Sequence, residues 1–515
     1  MSETGARKWI ITITVILASM LELIDTSIVN VALPQIMGNL GATLDEATWI
    51  ITAYVVANVI VIPMTGWFAT LFGRRNYLVG SVVLFTIASY ACGQATGIWE
   101  LVAFRFVQGA AGAALLSTSQ SVLVETFPPS ELGLANALFG MGVVVGPTIG
   151  PTLGGWITDN YSWRWIFYVN LPIGIIAALL IWAYIRDPEH KRDIGTVDWA
   201  GMFLLVLGVG SLQVLLERGE REDWFSSPFI VTLAVLSVVG LVCFVWRELT
   251  AVHPVVDLRV LKDRSLAVGT FFTFILGFGL YSSVFIFPVF AQNLLGFTAM
   301  QTGLILLPGA MTTALMMPFV GKALQRGAMP QLMTAAGFLF FFVFAWLMAH
   351  STLSSGVHDF FWPLVCRGVG MALLFVPLTT LALGGLRGKD IPQGAGLTNM
   401  MRQLGGSFGV AIIATYIQQR VWFHRTTLLG HMSVYDPALR ERLDGAIRGF
   451  IAKGSSPWTA QQQAYGAMEG VLARQSFLLT YMDAFLVCGG FFLAVIPLLV
   501  LFKRRKAAGA PVPVH

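Results

Sequence analysis

Two carboxylates stand inside apolar sequence. Glu22 and Asp25 interrupt the run from Trp9 to Leu33, three residues apart and therefore on one face of a helix. A charge at the centre of a membrane-spanning helix costs about 2.5–3.5 kcal/mol on insertion scales, so each acid must face a cavity or a partner. Loss of water favours the neutral carboxyl, and a nearby cation favours the carboxylate. A carboxyl held between those effects can load a proton on one side of a membrane and release it on the other. The alternative is a fixed carboxylate that ties helices together. If the first helix ends at Pro34, Arg105 in the fourth apolar run comes to nearly the depth of Asp25. An Asp25–Arg105 pair is therefore expected, either opened by protonation or permanent.

The second half of the chain repeats the arginine but not the acid. Arg367 is expected to pair structurally with Asp483 on the last apolar run, and Arg402 to face a central cavity or a cytoplasmic gate. With Arg402, the polar residues Asn30, Gln108, Tyr281 and Asn399 are candidates to line a cavity. The aromatic stretches Phe271-Phe272-Thr273-Phe274 and Tyr281 to Phe287 accompany them, although such stripes are more often core or lipid-facing. No metal site is read. The four cysteines are far apart, and the seven histidines fall in connections and tails as solvated residues. No GxxxxGK[ST] loop, HExxH, GxSxG or dinucleotide fingerprint occurs, so neither ATP nor another cofactor is expected.

These residues need elements that hold them at depth. Residues of the AVILMFWYC set make up 56% of the 515-residue chain and charged residues 11%, against about 25% charged in a soluble domain. A water-soluble enzyme and a disordered chain are both excluded, and the expected fold is an all-α polytopic membrane protein. A span needs about 20 apolar residues. Fourteen such stretches lie between residues 9 and 502, the first at 9–33 and the last at 478–502. With the N-terminus in the cytoplasm, 18 Lys and Arg fall in short inner segments and 3 in short outer ones, which places both termini inside. The net charge of +5 therefore marks topology rather than nucleic acid. A segment at about 420–477 lies outside, read as a partly ordered loop or as short surface helices.

Internal repetition organises the spans. Pro63-x-x-Gly66 before Gly73-Arg74-Arg75 returns as Pro318-x-x-Gly321 before Lys322. Arg105-x-x-Gln108-Gly109 returns as Arg367-Gly368, and Pro34, read as the end of the first helix, returns as Pro288 at the end of the ninth. Offsets of 254 to 262 residues imply two six-helix halves in parallel, 1–192 and 251–515, with two inserted helices in 193–250. In the fifth run Gly142, Gly146, Gly150 and Gly154 recur every four residues among Pro147 and Pro151, with Gly155 beside them. That stripe permits close backbone approach and is read as a flexible, sealed seam between the halves.

The same residues carry a family resemblance. Gly66 to Arg75 resembles the major facilitator signature between helices 2 and 3, and Leu101-x-x-x-Arg105-x-x-Gln108-Gly109 the superfamily's helix-4 motif. Gly146-Pro147-Thr148-Ile149-Gly150-Pro151-Thr152-Leu153-Gly154-Gly155 resembles the helix-5 antiporter motif. Asp25 to Pro34 is similar to the helix-1 motif of fourteen-span multidrug:proton antiporters, and Ser211 to Ser227 to the EmrB-type exporters. Thr70 stands where the superfamily carries an acid in the helix 2–3 turn. The resemblance implies an inner-membrane exporter of hydrophobic or amphipathic compounds, driven by the proton gradient through Asp25, Glu22 and Arg105. It also implies a periplasmic adaptor and an outer-membrane channel as partners, with 420–477 as the docking surface. An exporter dedicated to one metabolite or fatty acid is the alternative, ahead of a membrane-embedded transferase or a scaffold.

Overall fold

The computed structural model describes residues 5–187, 197–388, 390–433 and 435–501. Lys191, Arg192, Lys389, Lys503, Arg504, Arg505 and Lys506, counted above as inner cations, lie outside the described residues, as does the 192/193 boundary. The described chain contains no strand. Its long helices are α1 Ala6–Leu40, α2 Leu44–Phe72, α3 Arg74–Gln94, α4 Ile98–Thr126, α5 Leu132–Asn160, α6 Trp165–Tyr184, α7 Trp199–Arg218 and α8 Pro228–Thr250. They continue as α9 Arg264–Asn293, α10 Ala299–Gln325, α11 Pro330–Met348, α12 Val357–Leu383, α13 Asp390–Gly430 and α14 Pro457–Leu501.

Thirteen of these are long and apolar enough to cross a membrane. The exception, α13, carries Asp390, Gln393, Asn399, Arg402 and Gln403 along its first four turns. Its first half is surrounded by protein, residues 394–400 all being buried. A β-carbon on Gly405 or Gly277 would collide with the backbone of Phe274 or Arg402, so α9 and α13 touch backbone to backbone. Low hydrophobicity is tolerated where neighbouring helices, not acyl chains, form the surroundings.

Two expected helix ends are corrected. Pro34 lies inside α1, which continues to Leu40 and stops at Gly41 in the left-handed region (φ 62°). Pro288 likewise lies inside α9. Proline removes one backbone donor and bends a membrane helix without ending it, because neighbouring helices hold the turn. The outer segment is corrected as well. α13 is a single helix of 41 residues, and α14 begins with a regular helix of 39 residues, Pro457–Val495. At about 1.5 Å per residue each approaches 60 Å, roughly twice the hydrocarbon core. Between them the helix Pro437–Ala452 packs back on α14. The 420–477 segment is thus a helical projection rather than a loop.

α1 to α6 pack on one another, as do α9 to α14. The two groups meet along α5 against α10 and α12, and along the inner end of α2 and α4 against α13. At the first seam a β-carbon on Gly321 would lie 2.7 Å from the Gly133 carbonyl oxygen, and one on Gly140 2.7 Å from the Phe375 ring. At the second, a β-carbon on Gly396 would lie 3.0 Å from the Ile62 carbonyl oxygen. α7 and α8 form a pair whose α7 bridges both groups. Arg218 Nη2 holds Asp45 at 2.6 Å on the α2 side, and Gln213 Nε2 donates to Ser407 Oγ of α13 at 2.7 Å. At the inner end, a cavity of about 1770 Å³ opens between the groups, bordered by Ile11, Val122, Phe127, Met329, Thr380 and Ile391.

The Gly133–Gly321 crossing leaves no room for a methyl group. Gly321→Ala is expected to lower stability by about 1–3 kcal/mol, the usual range for overpacking. Gly490→Ala, where a β-carbon would meet nothing within 4 Å, should be neutral or stabilising. Thermal unfolding of the two variants in detergent checks the difference.

Candidate functional site

The site begins with the glycine stripe of α5. A β-carbon on Gly146 would lie 2.8 Å from Leu23 and one on Gly154 2.8 Å from Ile28, while one on Gly150 would clash with Ser27. All three neighbours belong to α1. The stripe therefore presses α5 onto α1 inside the first group of helices, which corrects its reading as a seam between halves. Because Gly142, Gly146, Gly150 and Gly154 share one face, the inter-half contacts of α5 fall elsewhere, on Gly133, Gly140 and Thr152. The motif fixes the helix that carries both acids. Pro147 and Pro151 stay inside the helix.

Asp25 is fully buried and saturated with donors. Its Oδ2 takes Arg105 Nη1 at 2.5 Å, and its Oδ1 takes Gln108 Nε2 at 2.9 Å and Asn170 Nδ2 at 2.8 Å. Arg105 also donates to Gln108 Oε1 at 2.8 Å, and its guanidinium lies 4.1 Å from the Tyr54 ring centroid. Asn170 is held in turn by Ser89 at 3.0 Å. Four helices, α1, α3, α4 and α6, thus close on one carboxylate. Gln108, read as lining a cavity, belongs to this clamp.

Glu22, one turn deeper, is buried but only half satisfied. Oε1 accepts from Asn58 Nδ2 at 2.9 Å, and Oε2 has no hydrogen-bond partner among the described residues. It lies within electrostatic range of Arg402 across the junction of the halves. Arg402 is 1% exposed, its Nε likewise unpartnered, and it stands 5.7 Å from the Phe375 ring. Asn399 Nδ2 donates to Gln120 Oε1 at 2.7 Å, joining α13 to α4 just above the inner cavity. Tyr281 donates to Gln403 Oε1 at 2.9 Å and borders a small cavity of about 40 Å³, room for a water molecule. Asn30 lies apart from this cluster, exposed on the outer half of α1. Of the aromatic stretches, Phe272 packs on Phe338 and Phe287 on Phe360, while Phe271 is exposed. Most of that stripe is core.

The Arg367–Asp483 pair does not form. Arg367 Nε donates to Ser283 Oγ at 3.0 Å, and Asp483 accepts from Arg420 Nε at 2.7 Å and lies 2.8 Å from His424 Nε2. The reason is the helical projection. α13 continues past the membrane and brings Arg420 and His424 alongside α14, whereas α12 packs on α5, α9, α10 and α11. His424 is consequently a half-buried partner of Asp483, not a solvated residue.

At the inner end, Gly73 adopts φ 82° and starts α3. Thr70 only bonds back to Gly66. The anions come from elsewhere: Glu125 of α4 pairs with Arg74, and Asp187 accepts from the Arg75 amide at 2.8 Å. A β-carbon on Gly66 would lie 3.0 Å from Gln393 of α13, so this turn sits at the seam. Glu125, Asp187, Asn58, Gln120 and Asn170 were not singled out in sequence. Asn58 and Gln120 had a signal, as polar residues inside apolar runs; Asn170 and Asp187 had none beyond being near helix ends. Among the described residues no cluster of His, Cys, Asp and Glu could hold a metal.

The two arrangements differ measurably. Removing one partner of a buried ion pair costs about 3–5 kcal/mol, so Arg105→Ala should lower stability on that scale. A double-mutant cycle of Asp25→Asn with Arg105→Gln should show coupling above about 1 kcal/mol, and one of Arg367→Gln with Asp483→Asn additivity within about 0.5 kcal/mol. Melting curves of the six variants in detergent decide both.

Residues 15–410 match the sequence profile of the Major Facilitator Superfamily. The chain is 35% identical over 506 residues to the fatty acid resistance protein FarB of Neisseria gonorrhoeae, covering 98% of each chain. It is 35% identical over 513 residues to the multidrug export protein EmrB of Escherichia coli strain K12, covering 98% of this chain and 97% of the other. Among solved structures, the human organic anion transporter MFSD10 (TETRAN) superposes with a TM-score of 0.59 at 13% identity, over 95% of this chain and 100% of that one. The proton:xylose symporter XylE gives 0.58 at 11% identity over 96% of each. These two structures share the fold. The protein spans the bacterial inner membrane many times, and it belongs to the Major Facilitator Superfamily.

Proposed function

We propose that this protein is a proton-coupled exporter of hydrophobic or amphipathic toxic compounds that works by alternating access. One observation carries the reading: two intramembrane carboxylates, one turn apart, are unequally satisfied. Asp25 holds a closed clamp, and Glu22 keeps one oxygen unpaired at the junction of the halves, within electrostatic range of Arg402. An open, buried carboxyl is the group suited to exchange a proton. A compound that favours ionised Glu22 competes with that proton, and by linkage the proton expels the compound. Competition for one site, combined with rocking of two halves, gives exchange of drug for proton. Small molecules and membrane lipid are the ligands, the proton gradient supplies the energy without a cofactor, and no catalytic chemistry is assigned to the chain.

The relatives named for multidrug export and for fatty acid resistance support this class. A dedicated fatty acid exporter is favoured by a single feature, the arginines Arg186, Arg264 and Arg387 around the mostly apolar inner cavity. The helical projection of α13 and α14 supplies a surface for a periplasmic adaptor leading to an outer-membrane channel. Trp422, Tyr435 and Trp458 are exposed on it.

In proteoliposomes with an imposed pH gradient, the wild-type protein should move several chemically unrelated amphipathic drugs. Glu22→Gln and Asp25→Asn should each lower gradient-driven flux at least tenfold, the cost of losing about 1.4 kcal/mol of coupling. Flux of a fatty acid alone would favour the dedicated exporter. Absence of gradient-dependent flux for every compound would remove the antiport reading.

A further inference from the structure

Tyr54 has no role in the scheme above, yet it touches both halves of it. It is 1% exposed, and its hydroxyl has no hydrogen-bond partner among the described residues. Its ring carries the Arg105 guanidinium at 4.1 Å. Its hydroxyl borders the same small space as the other acid: the point that a Gly112 β-carbon would occupy is 2.7 Å from Tyr54 Oη, 3.4 Å from Glu22 Cγ and 3.4 Å from Asn58 Nδ2. The ring therefore underlies the Asp25 clamp, and the hydroxyl stands beside the open carboxyl. Glycines make this possible. A β-carbon on Gly109 would strike the Tyr54 carbonyl oxygen, so α2 and α4 meet there by backbone, and Gly112 leaves the space that the hydroxyl enters.

We propose that Tyr54 is a positioning residue that transmits the protonation state of Glu22 to the Asp25–Arg105 clamp. The proposal rests on the proton-coupled reading. Glu22 Oε2 is an unused acceptor when ionised, and Tyr54 Oη is an unused donor beside it. Ionised Glu22 draws the hydroxyl into a hydrogen bond; protonated Glu22 has no need of it. The ring is rigid, so moving its hydroxyl tilts the face on which Arg105 rests, and cation–π attraction depends on that face. Arg105 then shifts between the ring and Asp25. No proton leaves Tyr54; the proton that moves is the one bound to Glu22.

The groups that face Glu22 are few. α1 contributes Asp25, α2 contributes Asn58 and Tyr54, α9 contributes Tyr281 and α13 contributes Arg402, with Arg105 of α4 reached through Tyr54. Asn58 occupies the other carboxylate oxygen at 2.9 Å and lies one turn from Tyr54 on the same face. It anchors Glu22 while Oε2 changes partner.

Infrared titration of the protonated-carboxyl band in detergent tests this without relying on transport. The band assigned to Glu22 is the one that Glu22→Gln removes. Asp25→Asn is expected to displace its midpoint by about one pH unit, a tenfold change in proton affinity. In the Tyr54→Phe background, which keeps the ring, that displacement should fall to less than half, with the melting temperature unchanged. Gly112→Ala, which crowds the hydroxyl, should reduce it as well. An equal displacement with and without the hydroxyl overturns the proposal and leaves the proton-coupled reading intact. If no carboxyl band titrates with Glu22, both fall together.

Discussion

A carboxylate buried among apolar helices must be answered by groups fixed in place before it arrives, and Asp25 is answered on every side. Arg105 neutralises it, Gln108 and Asn170 fill its second oxygen, and Ser89 fixes Asn170. None of these donors is local to α1. They are supplied by α4 and α6, with Ser89 of α3 accepting from Asn170, so the full set of hydrogen bonds needs these helices packed together. The close approaches that permit it are made by glycine: Gly146, Gly150 and Gly154 bring α5 against α1, and Gly109 brings α4 against α2. The packing of the first half can be understood as the means of keeping one charge satisfied away from water.

The second half is built to the same pattern but is left with the opposite imbalance. Its buried cations, Arg367 and Arg402, meet a serine hydroxyl, an aromatic ring and, among the described residues, no carboxylate of their own half. Glu22, on the first half, is the carboxylate that lies within electrostatic range of Arg402. Among the described residues, several of the unpaired buried polar atoms gather at one place. Glu22, Tyr54, Asn58, Gln120, Asn399 and Arg402 all leave a buried polar atom unpaired, and all lie where α1, α2 and α4 meet α13. Such atoms destabilise a single static arrangement. They suit a junction that alternates between arrangements and exchanges its partners as it does so.

Much of this was legible in the chain before the fold was known. Acids and arginines inside apolar runs stand out because lipid excludes charge, so Glu22, Asp25, Arg105 and Arg402 declared themselves. Repeated Pro and Gly positions suggested two groups of six helices with an inserted pair, and the helices pack in two such groups. Direction around a helix did not follow. The α5 glycines were visible as a stripe, but the helix they faced depended on packing. Arg367 and Asp483 had suitable depth, yet they lie on helices that turn to different neighbours. The outer projection was hidden because a helix leaving the membrane becomes polar and reads like a loop. Tyr54 was hidden because a lone tyrosine in an apolar run has no distinctive spacing, whereas Asn58 was visible only as a polar residue with no partner to assign.

The central claim is a division of labour: Asp25 stays in its clamp, and Glu22 exchanges the proton. Counting protons released into weak buffer when drug binds the detergent-solubilised protein tests this most directly. Release of one proton by the wild type and by Asp25→Asn, and none by Glu22→Gln, is the expected result. Release that persists in Glu22→Gln and disappears in Asp25→Asn would contradict it.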